Sequence, residues 1–209
     1  PSAATISMAH EKLSLDVCVL IRPRGGDFLY NDVEFEIMKK DIIIAKELGA
    51  DGIVTGILNM DGLVDMQRMK EIIEIARPME VAFHRAFDMC SKPKEVLNQL
   101  INLKVDRLLT SGQKNSAIEG VDLIAELIQQ AKGRIDIMPG AGVNLENFLE
   151  LRNKSGASSF HLTGRKLVNG NMRYKQTNVV LNDFNHESDF AWLETNSNII
   201  KGIVELSKT

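Results

Sequence analysis

Short apolar runs rich in β-branched residues alternate along the chain with longer segments whose apolar positions recur at helical spacing, and glycine-bearing or polar loops separate the two. That alternation is the pattern of βα units feeding a parallel sheet. Six runs read as strands: DVCVLI (16–21), GIVTGIL (52–58), EVAFHRAF (80–87), DRLLTS (106–111), RIDIMP (134–139) and SSFHLT (158–163). They recur every roughly 24 to 36 residues, as a strand with its crossover helix should. A helical segment over 3–13 precedes the first strand, a polar, irregular stretch covers 166–189, and a last helix is expected over 196–207.

Helix signals support the division. Asn31 with Glu34, and Ser116 with Glu119, are spaced as capping boxes; Ser91 precedes Lys92-Pro93, which places proline in a first turn; Gly49, Gly133 and Gly156 stand where helices should end. Within 33–48, Val33, Ile37, Ile44 and Leu48 form the stripe expected to lie on the sheet. Six parallel strands do not close a barrel, which takes eight. Either the sheet is open or two strands lie ahead of Pro1.

Side chains alternate faces along a strand, so parity predicts direction. In the first run Val17, Val19 and Ile21 suit the layer under the helices, leaving Cys18, Leu20 and Arg22 inward. In the third, Val81, Phe83 and Phe87 go outward and Ala82, His84, Ala86 and Asp88 inward. In the sixth, Phe160 and Leu162 go out, His161 and Thr163 in. Three strands thus aim a titratable residue inward near their carboxyl ends, where barrel enzymes keep their sites. Arg85 has the wrong parity, but stands close enough to the strand end to escape into the loop.

Composition narrows the chemistry. With 209 residues, 44% hydrophobic, the chain suits one domain spanning 1–209. A net charge of -3 disfavours nucleic-acid or anionic-membrane partners. No apolar run reaches the roughly 18 residues of a membrane span. Two distant cysteines, Cys18 and Cys90, do not form a disulfide framework and point to a reducing compartment. The chain starts with Pro1 rather than Met, as a segment of a longer sequence would.

Candidate chemistry gathers at the strand ends. In Arg22-Pro23-Arg24-Gly25-Gly26-Asp27-Phe28, two guanidinium forks and two glycines suit an anion; the plainer alternative is an internal ion-pair network with Asp27 or Asp88. His84 offers a general base or metal ligand, Arg85 a cation and Asp88 an orienting carboxylate. Gly140 and Gly142, with Gly164 and Arg165, would occupy the last two βα loops, a frequent phosphate site, unless the glycines merely serve tight turns. His161 joins this anion-binding set by its inward parity. Copper(I) favours thiolate and thioether ligands, and no CxxC, CxC or methionine-rich cluster is present. Cys18 is expected low in the interior and Cys90 past a strand end, both as ordinary packing or free thiols.

The strings IRPRGGDFLYND (21–32), DGIVTGIL, FHRAFDM, LLTSG, IMPGAGV and FHLTGR, in this order, closely resemble the CutC family of copper-homeostasis proteins over nearly the whole chain. The resemblance implies a TIM-like (β/α)8 barrel whose first β-α-β portion is absent from this chain. It also implies a cytoplasmic location, a homo-oligomer and copper(I) binding. The cysteines usually proposed as copper ligands in the family belong to that absent portion and match neither Cys18 nor Cys90, so the metal ligands stay unknown. A triple glycine is usual where this chain has Gly140-Ala141-Gly142. Two functions follow as expectations. One is a copper-homeostasis protein binding copper(I). The alternative is a barrel enzyme acting on a small phosphorylated or carboxylated metabolite, with Arg22 and Arg24 gripping the anion, His84 as acid or base and Asp88 orienting it. A non-catalytic interaction scaffold is a third expectation.

Overall fold

The computed structural model describes residues 1–176, 178–181 and 189–208. Two compact units emerge: one comprises Pro1–Val143 and Glu150–His161, the other 144–149 and the described residues from 162 onward.

In the first unit, α1 (Ala3–Lys12) precedes β1 (Cys18–Leu20), and four βα repeats follow: α2 (Asp32–Glu47), β2 (Gly52–Thr55), α3 (Met66–Ala76), β3 (Glu80–Phe83), α4 (Pro93–Asn102), β4 (Arg107–Thr110), α5 (Val121–Ala131) and β5 (Asp136–Pro139). The five strands form one parallel sheet in sequence order, with Val19 opposite Ile53, Ile53 opposite Val81, and Arg107 opposite both Ala82 and Asp136. A doubly wound sheet reverses its strand order at a switch point; this one runs in a single direction, as a (β/α) barrel does. The fold is an incomplete (β/α) barrel.

Several sequence expectations need correction. The sixth strand is reduced to a single parallel bridge between Gly140 and His161. The third stops at Phe83 because the chain curls into a 3-10 turn, Arg85–Met89, whose first amide, Ala86, donates to His84 Nδ1 at 3.1 Å. Strand parity therefore ends at His84 and does not govern Asp88. Cys18 and Leu20 have inward parity yet are exposed, Leu20 by 50%, because β1 is an edge of an open sheet with no facing strand among the described residues. Val19 and Ile21 are buried as expected.

On α2 the buried positions are Phe35, Met38, Ile42 and Ala45, while Val33, Ile37 and Ile44 are exposed. The helix is apolar over much of its circumference, and packing against the rest of the unit selects the face that is buried. The Asn31–Glu34 capping box forms with both hydrogen bonds in place. The Ser116–Glu119 box does not: α5 begins after Gly120, and Ser116 Oγ is buried without a partner. Pro93 takes the first turn of α4 after Lys92, and Gly49, Gly133 and Gly156 all adopt positive φ at helix ends.

α6 (Phe148–Ser155) runs across the division between the units. In the second unit, β6 (Arg165–Asn169) pairs antiparallel with β7 (Ala191–Thr195), followed by α7 (Ser197–Ser207) capped by Asn196. The irregular stretch expected over 166–189 is thus partly strand; 177 and 182–188 lie outside the described residues.

Candidate anion site

At the carboxyl end of β1 the chain turns through Arg22–Phe28. Arg24 closes this loop on itself: Nε donates to Glu34 Oε1 at 2.6 Å, Nη1 to Asp27 Oδ1 at 3.0 Å and Nη2 to the Leu29 carbonyl at 2.8 Å, with the guanidinium 5.1 Å from the Tyr30 ring centroid. Glu34 also accepts the Asn31 amide as half of the capping box, so one carboxylate ties loop to helix. The Arg24 guanidinium holds the Glu34 carboxyl below its ordinary range. Arg24 is engaged as a clamp; the internal network weighed as the plainer alternative for this loop is present with Asp27.

Arg22 follows a different course. Its Nη2 donates to the Gly26 carbonyl at 2.9 Å, and its guanidinium lies over the Phe28 ring at 4.7 Å. Gly26 holds φ +83°, a conformation L side chains resist; Gly25 has ordinary φ and open space around it. Phe28 packs in turn on the His84 imidazole, with ring centroids 5.0 Å apart. His84 is 6% exposed and sits against Gly56, where an added Cβ would lie 2.7 Å from Nδ1. Because Nδ1 accepts the Ala86 amide, the proton resides on Nε2, which is buried without a partner. Burial pushes the imidazole pKa down to about 4, and the Arg22 charge adds to the effect. At neutral pH His84 is an uncharged N–H donor.

Asp88 makes no hydrogen bond to His84. Its Oδ2 accepts Arg85 Nε at 2.7 Å and Ser111 Oγ at 2.9 Å, and its Oδ1 accepts Thr110 Oγ1 at 2.6 Å and the Gln113 amide at 3.2 Å. The Ser111 amide donates to the carboxylate as well. The orienting role expected of Asp88 toward His84 falls instead on Arg85, whose Nη2 is further fixed by Ser111 Oγ at 2.8 Å. Arg85 did escape the sheet-helix layer: its side chain is 43% exposed.

Arg22, Arg85 and Asp88 converge on one cleft of about 710 Å³ in the first unit, walled by Phe28, Leu29, Leu58, Met60 and Met89. Gly140 and His161 belong to the same unit but do not line this cleft. The Gly140 amide donates to the Thr110 carbonyl, and the Ala141 carbonyl accepts the Ala117 amide. Ala141 holds φ +79°, so an alanine occupies a glycine-type conformation in this turn. His161 is exposed beside Gly140, and partial burial of its ring lowers its pKa. Gly164 and Arg165 belong to the second unit, where the Gly164 carbonyl accepts the Asn196 amide. The apolar walls and the Thr110–Ser111 pair were not anticipated. Thr110 and Ser111 end the run DRLLTS, so the strand-end rule that singled out His84 also applies to them.

The thiols do not suit copper(I). Cys18 opens β1 at the amino end of the sheet, whereas Cys90 lies beyond the carboxyl end of β3. Burial pushes the Cys90 thiol up to about 11, disfavouring the thiolate that binds metal. Among the described residues no three His, Cys, Asp or Glu side chains are grouped to hold a metal ion. Nor is any described helix long and apolar enough to cross a membrane.

A single-direction parallel sheet with a cation-bearing cleft at its carboxyl ends defines a protein of the (β/α)-barrel class. The family model described as the CutC family matches residues 1–166. A CutC family protein from Parabacteroides distasonis is 43% identical over 205 residues, covering 98% of this chain and 84% of that protein. A Mus musculus relative named copper homeostasis protein cutC homolog is 39% identical over 208 residues, covering 100% of this chain and 76% of its own. The crystal structure of CutC from Streptococcus agalactiae superposes with a TM-score of 0.74 at 36% identity, covering 77% of this chain and 80% of that one. The chain belongs to the CutC family.

Proposed function

We propose that this chain acts in copper homeostasis, as its relatives' names indicate, and that its strand-end cleft binds a small organic anion. The observation carrying the anion reading is the convergence of Arg22 and Arg85 on one cleft, with Arg85 held in place by Asp88 and Ser111. In this reading Arg22 and Arg85 bind the anion. His84 supplies a neutral N–H if Phe28 moves aside, and Asp88 positions Arg85 without touching ligand. The test is a thermal-shift screen of carboxylated and phosphorylated metabolites. A true ligand should raise the midpoint of the parent chain and lose that effect in Arg22→Gln and Arg85→Gln; a shift that survives both substitutions removes the site.

Copper(I) binding is the second reading, favoured by Met60 and Met89, soft thioether donors that line the same cleft. Competitive copper(I) titration should then weaken in a Met60→Ser, Met89→Ser double variant and be indifferent to Cys90→Ser. The reading also takes the protein to be cytoplasmic and homo-oligomeric, the latter open to light scattering coupled to size exclusion.

A further inference from the structure

We infer that the ligand of the cleft is a carboxylate bearing an apolar body, rather than a phosphate or a sugar phosphate. The inference rests on the anion reading above and narrows its chemistry.

Volume is the first consideration. About 710 Å³ falls within the range of sites that enclose an organic molecule and far exceeds what a bare oxyanion needs. The walls are the second. Leu29 is 43% exposed, Met89 70% and Met60 87%, and all three border the same cleft together with Phe28 and Leu58. Single exposed apolar side chains are ordinary on a protein surface, whereas several around one concavity mark a place where apolar surface is covered by something else.

The polar groups of the cleft are the third. A hydroxylated ligand needs free donors and acceptors, and several of the side-chain oxygens at the cleft are already engaged. Asn59 Oδ1 accepts the Asp61 and Leu63 amides at 3.0 Å each. Asp27 is paired with Arg24, and Asp88 holds Arg85 and the chain after β4. Two further donors suited to a phosphate are engaged away from the cleft, Arg24 by Glu34, Asp27 and Leu29, and the Gly140 amide by Thr110. What remains is the part of the Arg22 guanidinium not held by the Gly26 carbonyl, together with Arg85 Nη1, which meets no protein acceptor among the described residues. Arg85 Nε and Nη2 are fixed from behind, so Nη1 is held in a set direction. A donor from each of the two guanidinium groups matches the two oxygens of a carboxylate. One charged end and one greasy wall therefore specify an amphiphilic monoanion.

The experiment is calorimetric titration of the full chain at pH 7 with acetate, butyrate, hexanoate and octanoate, alongside hexanamide, inorganic phosphate and glycerol phosphate. Affinity should rise about three- to fourfold for each added CH2, and hexanamide should bind at least tenfold more weakly than hexanoate. Arg22→Gln and Arg85→Gln should erase the preference for hexanoate over hexanamide. Met60→Ser, at a side chain too exposed to matter for folding, should flatten the dependence on chain length while leaving the charge preference intact. Phosphate binding more tightly than hexanoate, or a flat series with Arg22 still required, overturns the inference and leaves the anion reading standing. Hexanamide equal to hexanoate, or no binding by any probe, overturns both.

Discussion

An imidazole that accepts a backbone amide at Nδ1 has one nitrogen left to offer, and in His84 that nitrogen is buried without a partner. Unfolded, such a group takes up a proton near pH 6.5; folded, it does so only near 4. Between those values the unfolded chain holds more protons than the folded one, so acid favours unfolding. The neutral-histidine contribution is therefore complete above about pH 6.5 and is lost progressively down to about pH 4, at roughly 1.4 kcal/mol per pH unit. Urea midpoints measured from pH 7.5 to 5 should show this slope, and His84→Asn should lack it. The same slope in parent and variant would place the proton uptake elsewhere. The histidine was legible as a site candidate from its position at a strand end. The Arg85–Asp88 pair was not: the two residues are three apart and face each other because a 3-10 turn replaces the strand there.

At the level of elements, most of the signals with a local cause were read correctly from sequence. The Asn31–Glu34 box depends on residues three apart, and it forms. Asn31→Ala should cost about 1 kcal/mol, and Asn31→Asp much less, in chemical denaturation. Glu34→Ala should cost at least as much as Asn31→Ala, since it also releases Arg24; a smaller cost would show that the clamp contributes nothing to stability. The choice among competing apolar faces of α2 was not legible, because Val33, Ile37 and Ile44 satisfy helical spacing as well as Phe35, Met38 and Ile42 do, and tertiary packing decides. Ser116–Glu119 has the spacing of a box but falls in the turn before Gly120, where no helix begins. The repeat of strand and helix was visible because it is periodic; the third strand was overestimated because Ala86 and Phe87, apolar like a strand's core positions, belong to the 3-10 turn.

At the scale of the whole molecule, strand-end chemistry was anticipated as a group, and part of it shares one cleft within the first unit. Arg22, Arg85 and Asp88 share a cleft. Gly164 and Arg165 lie in a different compact unit, a division that nothing in their local sequence announces. The open sheet described above has a colloidal side. β1 offers one row of backbone N–H and C=O groups with no strand against it among the described residues, with Leu20 half exposed along it. Closed barrels remove such edges; open ones rely on short strands and charge to discourage chain-to-chain pairing. β1 is three residues long, but the charge fails near pH 5.9, where the chain carries none in net. Turbidity should therefore peak close to that pH and grow with concentration, and Leu20→Lys should suppress it beyond what its one added charge does when placed on an exposed helix face. Handling a chain of residues 1–209 alone is thus in part a matter of keeping short rows of peptide groups wet.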